Sequence, residues 1–150
     1  MRVERAEPRD LDEIAPLFDA YRSFYGQPPD LERARGFLAE RLAAQDSAVF
    51  VARDEARAIG FVQLYPLHSS LQTARSFVLN DLFVLPGERG RGAATRLIER
   101  AAAYAVGEGA VGIELETAAD NQAARAVYER LGWRLDETFV RYALPLRDAP

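Results

Sequence analysis

A short segment rich in glycine and arginine could bind a phosphate group. It lies between an apolar segment that predicts a strand and an alanine-rich segment that predicts a helix. Glycine adopts positive φ angles at little steric cost, and the first turn of a helix offers N–H groups and a positive dipole end to an anion. The two arginines could add charge-assisted hydrogen bonds. The members of the segment are Arg89, Gly90, Arg91, Gly92, Ala93, Ala94 and Thr95.

Two other interpretations of this segment compete with a phosphate site. A solvated turn before an ordinary helix has a similar composition, but the flanking strand and helix favour the anion site. Gly90 and Gly92 also begin the fingerprint of a dinucleotide-binding fold. Thr95 stands where that fingerprint has its third glycine, and no second strand-helix half follows. The dinucleotide fold is therefore disfavoured.

One carboxylate stands inside an apolar run. Asp81 lies in the stretch Phe77–Leu85, which otherwise reads as a strand covered on both faces. A carboxylate there is costly unless it is paired or hydrogen-bonded. It could be a general base, directly or through water, it could bind an ammonium group, or it could order nearby loop amides. The residues alone leave a functional and a structural role equally open.

Composition excludes several classes of chemistry. The chain has no cysteine, so disulfides, thiolate metal sites and cysteine nucleophiles are excluded. Its single histidine, His68, makes a zinc site or a serine triad a poor prediction. The net charge of −4 disfavours nonspecific binding to nucleic acid. We expect neither a metal nor a nucleic-acid partner.

Length and hydropathy predict one domain over residues 1–150. No run approaches the ~18 apolar residues that a membrane span needs. The N-terminal residues lack the apolar core of a signal peptide. We therefore expect a cytoplasmic protein without a membrane partner.

The elements that must position these residues show helical and strand periodicity in turn. The predicted helices are near Pro8–Tyr21, Asp30–Leu42, Ala94–Ala105 and Asn121–Leu131. The predicted strands are Ala48–Ala52, Ile59–Tyr65, Phe77–Leu85, Val111–Thr117 and a final pair within Trp133–Leu144. The residues from Pro66 to Thr73 are predicted to form a polar loop.

The predicted element order is β-α-α-β-β-β-α-β-α-β-β. The unit from Phe77 to Thr117 is a strand-helix-strand crossover, and such a crossover nearly always joins parallel strands. We therefore predict an α/β fold with a mixed sheet and helices on both faces.

Two motifs resemble the GNAT superfamily of N-acetyltransferases. The segment Arg89–Ala94, after Phe83-Val84-Leu85-Pro86, looks like the acetyl-CoA loop of that superfamily, and Asn121–Trp133 is similar to its second signature. The stretch Leu79–Val84 looks like a bacterial and fungal branch that includes acetylases of amino acids, polyamines and histones. Gly87-Glu88 departs from the pattern, since an aromatic residue is common there, and this should affect packing more than chemistry.

The resemblance implies a GNAT-like fold, with a mostly antiparallel sheet of about six or seven strands and about four helices, and acetyl-CoA as co-substrate. The pyrophosphate would lie on the amides of Arg89–Thr95. The pantetheine arm would run between the strands that carry Val84 and Thr117. The backbones of Phe83 and Val84 would bond the arm and the thioester carbonyl. Asn121 would hold the arm from the opposite side.

Within that resemblance, Tyr128 is the candidate general acid. Aminolysis of a thioester needs a neutral amine, an oxyanion donor and a proton for the leaving sulfur. A phenol with a pKa near ~10 could protonate a thiolate with a pKa near ~8.5, and the Val84 N–H would serve as oxyanion donor. Tyr128 lies seven residues after Asn121, so both fall on one helix face. The alternative is an ordinary core tyrosine.

The base and the acceptor site are less determined. Asp81 and Glu116 are candidate bases and candidate contacts of the amine, and Glu116 could instead be a solvated strand end. Family analogy places the acceptor near the first helices, where Tyr21, Arg22 and Tyr25 are candidate contacts. An exposed helix arginine without a ligand is the alternative for Arg22.

These observations predict acetyl transfer from acetyl-CoA to a primary amine of a small molecule or peptide, by direct attack in a ternary complex. The alternative is a CoA-binding sensor or regulator without catalysis, which the intact Asn121 and Tyr128 disfavour. Many members of the superfamily form dimers, and nothing in these residues decides whether this chain is a homodimer.

Overall fold

The computed structural model describes residues 1–147, and the chain divides into two compact units, Met1–Glu116 and Thr117–Pro150. The strands of the first unit are β1 (Arg2–Arg5), β2 (Ala48–Asp54), β3 (Arg57–Ser69), β4 (Ala74–Val84) and β5 (Ile113–Glu114). Its helices are α1 (Leu11–Phe24), α2 (Leu31–Ala44) and α3 (Ala93–Gly107). The second unit contains α4 (Gln122–Arg130). The predicted α/β class and the four helices are confirmed.

The five strands form one sheet in the order β1-β2-β3-β4-β5. The first three pairs are antiparallel, and β4 pairs with β5 in parallel. The mixed, mostly antiparallel sheet and the parallel crossover through α3 are therefore confirmed. The predicted count of six or seven strands is too high for the described residues, which contain five.

Two predicted boundaries in the middle of the chain are wrong. The supposed loop from Pro66 to Thr73 largely belongs to a long hairpin, because β3 continues to Ser69 and β4 begins at Ala74. Pro66 lies opposite Phe77, whose N–H is directed to the Gly112 carbonyl oxygen of the β5 side at 3.1 Å. The missing proline N–H therefore breaks no bond to β4, and the strand tolerates the residue.

The predicted final strand pair within Trp133–Leu144 is absent from the described residues. Alternating apolar residues favour an extended chain, but a strand exists only where a second strand supplies the matching backbone groups. No such ladder forms in residues 133–147, where Tyr142 is 93% exposed. The predicted strand Val111–Thr117 is likewise shortened to Ile113–Glu114.

Helices cover both faces of the sheet. The buried side chains of α1 and α2 pack with side chains of β2, β3 and β4, among them Val49, Phe61 and Phe83. On the opposite face, Tyr104 of α3 contacts the rings of Phe50 and Phe77, with ring centroids 5.4 and 5.6 Å apart. Successive strand residues point to opposite faces of the sheet, so Val49 packs against α1 and α2 whereas Phe50 packs against α3.

A buried arginine joins the N-terminal elements of the first unit. Arg53 of β2 is 4% exposed, and its guanidinium donates to Glu4 of β1 at 2.8 Å and to Asp10 before α1 at 2.9 Å. It also pairs with Glu13 of α1. Burial lowers the pKa of Arg53, but the bonds to Glu13 and Glu4 outweigh it and raise the pKa above its usual value. The guanidinium of Arg53 thereby links β2 to β1, to the turn before α1 and to α1 itself.

Candidate active site

One side of β4 lacks a strand partner over half its length. The whole of β4 pairs with β3, whereas β5 pairs with it only at Phe77 and Val78. The register against β3 passes from Asp81 directly to Leu79, so Asn80 is an extra, bulged residue. Among the described strands none pairs with residues 79–84 on the side away from β3, and we call this side the open edge. An extended ligand could hydrogen-bond there as a strand does.

The backbone of Val84 faces the open edge. The Leu85 N–H donates to the Ile59 carbonyl oxygen on the β3 side at 2.9 Å. Because backbone groups alternate in direction along an antiparallel strand, the N–H and carbonyl of Val84 point the other way. The N–H and carbonyl of Phe83 point to β3 instead. In agreement, a Cβ added to Gly60 of β3 would lie 2.7 Å from the Phe83 carbonyl oxygen. The Phe83 backbone therefore faces β3, whereas the Val84 N–H faces the open edge.

The glycine-rich segment has the conformation of an anion site. Gly90 and Gly92 have φ angles of +78° and +84°, and a Cβ on either would meet no atom within 4 Å. The first helical hydrogen bond of α3 is donated by Arg96 to the Gly92 oxygen, so the N–H groups of Ala93 and Ala94 precede it. The segment therefore leaves open space in front of the first turn of a 15-residue helix. Thr95 is the third residue of that turn.

The side chains of the two loop arginines already have protein partners. Arg91 donates to Asp54 at 2.8 Å and pairs with Glu88, and these contacts raise its pKa. The Nε of Arg89 donates to the Val84 carbonyl oxygen at 2.9 Å. Part of each arginine side chain is therefore already engaged by protein acceptors, so neither guanidinium is wholly available to a phosphate.

Asp81 is buried in a chain of polar side chains. It is 2% exposed and accepts hydrogen bonds from the amide of Gln63 and from Asn80 Nδ2, the latter at 2.8 Å. The Gln63 amide oxygen accepts a bond from Ser47 Oγ at 2.8 Å. Burial raises the pKa of Asp81, and the bonds from Gln63 and Asn80 only partly offset this. A carboxylate in this setting is poorly accessible to a substrate amine.

Tyr21 connects Asp81 to helix α1. Its hydroxyl donates to the Asn80 carbonyl oxygen at 3.1 Å, and its ring lies 5.1 Å from that of Tyr25. Burial raises the pKa of Tyr21, and the negative charge of Asp81 raises it further. The pKa of Tyr65 is raised for the same two reasons. Both phenols therefore stay neutral at physiological pH and can donate hydrogen bonds.

The remaining predicted acceptor residues have different surroundings. Tyr25 is 52% exposed at the end of α1. Arg22 is bonded to Asp19 at 3.0 Å, and Asp19 also accepts the Asp30 N–H, so this arginine braces the α1–α2 connection. Glu116 is exposed and lies beyond β5, at the end of the first unit.

The second unit contains the predicted asparagine and tyrosine. Asn121 is the N-cap of α4, and its Oδ1 accepts the Ala124 N–H at 3.2 Å. Tyr128 lies on α4, with its ring centroid 5.8 Å from that of Trp133. Gly132 ends this region with a φ angle of +90°. Thr117, expected in a strand beside Val84, instead begins this unit outside any strand.

Comparison with known proteins identifies the family. The sequence model of the "Acetyltransferase (GNAT) family" matches residues 11–133. An uncharacterized N-acetyltransferase of Bacillus subtilis, YhfO, is 43% identical over 144 residues, which cover 96% of this chain and 97% of that protein. The chain belongs to the GNAT family of acetyltransferases. This family uses acetyl-CoA as the acetyl donor, and the chain is an acetyltransferase.

Further relatives of this GNAT acetyltransferase are also acetyltransferases by name. A solved crystal structure of a probable acetyltransferase has 39% identity and a TM-score of 0.94, covering 99% of this chain and 100% of that one. The aminoglycoside N(6')-acetyltransferase type 1 of Salmonella typhimurium is 30% identical over 120 residues, or 78% of this chain and 81% of that protein. No helix of the described residues is both long and apolar enough to cross a bilayer.

Two polar residues of the hydrogen-bond network around Asp81 escaped the sequence analysis. Gln63 and Ser47 orient Asp81, yet they come from separate strand regions. Gln63 interrupts the apolar run Ile59–Leu64 and could have been noticed, as Asp81 was, as a polar residue in a predicted core strand. Ser47 carries no comparable signal, because serine is common before a strand.

Proposed function

We propose that this acetyltransferase moves the acetyl group of acetyl-CoA to a primary amine of a small molecule or peptide by direct attack in a ternary complex. The observation that carries the proposal is the open edge of β4, which ends at Val84 shortly before the glycine-rich turn of α3. An extended arm could pair with the edge while a diphosphate occupies the turn.

The glycine-rich turn supplies the proposed anion site. The N–H groups of Ala93 and Ala94 and the positive end of the α3 dipole favour a negative group in front of Gly92. Gly90 and Gly92 bear no side chain, and no other atom lies within 4 Å of their Cβ positions, so that space is open. Thr95, later in the same turn, is proposed to contribute its backbone.

Val84 supplies the proposed oxyanion donor. Its N–H faces the open edge, where a thioester carbonyl oxygen paired with β4 would accept it. As the amine nitrogen bonds to the carbonyl carbon, negative charge grows on that oxygen, and a fixed N–H stabilises it. Removal of one such donor in other enzymes slows turnover about 10²–10³-fold.

Tyr128 is the proposed acid for the leaving sulfur. When the carbon–sulfur bond breaks, the electron pair stays on sulfur, and the Tyr128 hydroxyl donates its proton there. The neutral amine loses one proton as the amide forms, and a proton returned to the Tyr128 oxygen restores the acid, so the products are the amide and the free thiol. An amine that starts as an ammonium ion releases one further proton to water. The Asn121 NH₂ group is proposed to hold the arm, since its Oδ1 is engaged in capping α4.

Asp81 is proposed to act on the amine indirectly. Its burial and its bonds to Gln63 and Asn80 favour a role in orienting Tyr21 and the bulged Asn80 over direct contact with substrate. Proton removal from the amine would then pass through water, with exposed Glu116 as a second candidate base. We propose that the amine acceptor binds near the end of α1, where it would contact Tyr21, Arg22 and Tyr25.

The acceptor is proposed to be a primary amine of a small molecule or a peptide. The name of the Salmonella typhimurium relative refers to an aminoglycoside amine, so aminoglycosides belong among the compounds to be tried. We further propose that residues 1–150 act as one catalytic domain, because the family match runs across the boundary at Glu116.

The test is a thiol-release assay with acetyl-CoA and a panel of polyamines, amino acids, aminoglycosides and peptides. We expect release that depends on one amine class, with the acetylated amine identified by mass spectrometry. CoA binding without acetylation of any amine would indicate a sensor instead. Absence of both CoA binding and thiol release would refute the proposal.

A further inference from the structure

Arg89 makes three contacts, two with the end of β4 and one with the end of α1. Its Nε–H donates to the Val84 carbonyl oxygen at 2.9 Å. Its guanidinium carbon lies 5.6 Å from the ring centroid of Phe83 in β4 and 5.6 Å from that of Phe24 in α1. The two rings are themselves 6.4 Å apart. A strand, a helix end and the glycine-rich turn therefore meet at one side chain.

We propose that Arg89 is a positioning residue, which sets the distance between the glycine-rich turn and the Val84 N–H rather than binding phosphate by its charge. The inference rests on the proposed function, in which both sites hold one molecule of acetyl-CoA. Held extended along β4, the arm of that molecule has one length between diphosphate and thioester. The turn and the oxyanion donor must therefore be held at a matching separation before binding.

The contacts of Arg89 suit this role. The hydrogen bond is made by Nε, the side-chain nitrogen closest to the backbone. The bond therefore fixes the arginine backbone more closely than a bond from a terminal nitrogen would. The guanidinium faces two aromatic rings, which attract a cation. Arg91, two residues on, is fixed separately by Asp54 and Glu88. The turn is thus anchored at one side to β4 and at the other to the β2–β3 hairpin.

Two substitutions separate position from charge. In Arg89→Gln, the amide nitrogen is bonded to Cδ as Nε is in arginine, so it can still donate to the Val84 oxygen while the charge is lost. In Arg89→Lys, the charge remains, but the nitrogen lies one carbon farther and Cδ carries no donor. Arg9→Gln, which removes an exposed arginine of the 3-10 turn before α1, is the matched control.

Calorimetric titration with CoA gives the first measurement. We expect Arg89→Gln to bind within about threefold of the parent and Arg89→Lys to bind about tenfold more weakly, the loss that one hydrogen bond can produce. Arg9→Gln should bind as the parent does. The opposite order, equal losses in both variants, or no loss in either would overturn the assignment.

Hydrogen exchange of the ligand-free proteins gives the second measurement, which does not depend on CoA. The amides of residues 86–92 should exchange at least about threefold faster in Arg89→Lys than in Arg89→Gln, with equal exchange in the strands. If the parent binds no CoA, the proposed function fails, and this comparison still decides whether Arg89 anchors the turn. Equal exchange in the two variants would show that it does not.

Discussion

Gln63 of β3 and Asp81 of β4 stand directly opposite each other in the sheet, and the Gln63 amide donates a hydrogen bond to the Asp81 carboxylate. Ser47 donates to the Gln63 oxygen, which turns the amide NH₂ group toward Asp81. Gln63 is fully buried and Asp81 is 2% exposed. These bonds therefore hold the carboxylate in one orientation between β3 and β4. The free energy of burying it depends on whether it is protonated.

Asp81→Asn should change how stability depends on pH. Burial raises the folded-state pKa of Asp81 above its unfolded value near ~3.9, so the folded protein binds this proton more tightly. The stability contributed by the proton is present at low pH and is lost as pH rises through the folded pKa. The unfolding free energy of the parent should therefore fall relative to the variant from about pH 4 upward, by up to about 1.4 kcal/mol per pH unit.

Urea unfolding of both proteins between about pH 4 and pH 8 measures this difference. Asp12→Asn, which removes an exposed carboxylate of α1, is the control. A difference between Asp81→Asn and the parent that is constant with pH, or of opposite sign, would contradict the prediction.

Tyr128→Phe should lower kcat about tenfold or more and leave CoA affinity nearly unchanged. The substitution keeps the ring that packs on Trp133 and removes only the hydroxyl proposed to protonate the sulfur. Steady-state kinetics and calorimetry with CoA measure the two quantities. Tyr142→Phe, at a tyrosine that is 93% exposed, is the control. Equal turnover of Tyr128→Phe and the parent would remove Tyr128 from this role.

Gly92→Asp should bind CoA about tenfold more weakly than Gly92→Ala. Both variants place a Cβ at a φ angle of +84° and bear a similar backbone strain of about 1 kcal/mol. The aspartate also places a negative charge where the diphosphate is expected, and two unit charges ~4 Å apart repel by about 1–4 kcal/mol near a protein surface. The affinity difference between the two variants therefore isolates the charge.

Gly109 allows a matched control for this pair. It also has a positive φ angle, +74°, and open space around its Cβ position, but it follows the C-terminal end of α3. Gly109→Asp should bind CoA as Gly109→Ala does. If the Gly92 pair also showed equal affinities by calorimetry, the anion site would not be at this turn.

Arg53→Met should lower the unfolding free energy by about 2–3 kcal/mol. The substitution leaves Glu4, Asp10 and Glu13 without their shared cation, and loss of one partner of a buried ion pair costs about 3–5 kcal/mol when no water reaches the other. Glu4 and Glu13 are nearly half exposed, so water offsets part of the loss. Urea unfolding gives the value.

Arg35→Met is the comparison for Arg53→Met, since Arg35 makes one exposed ion pair with Asp12. Such pairs contribute about 0–1 kcal/mol. Equal effects of the two substitutions would show that the buried cluster does not stabilise the N-terminal elements.

Local patterns in the sequence predicted much of this protein because their causes are local. Asp30 caps α2 through the Arg33 N–H, and Asn121 caps α4, as residues of these types do before helical periodicity. Gly90 and Gly92 adopt the positive φ angles expected before α3. The apolar run around Asp81 forms strand β4. In each case a few neighbouring residues determine the conformation.

Contacts between distant segments were decided only by the tertiary structure. Ser47, Gln63 and Asp81 meet because β2, β3 and β4 pair in one register, and the bulge at Asn80 sets that register. The direction of the Val84 N–H follows from the bond between Leu85 and Ile59, and no local pattern encodes it. Alternating apolar residues after Trp133 did not suffice for strands, because pairing depends on a partner. The sequence alone determined which residues were available for chemistry, whereas strand register and long-range hydrogen bonds decided which of them act together.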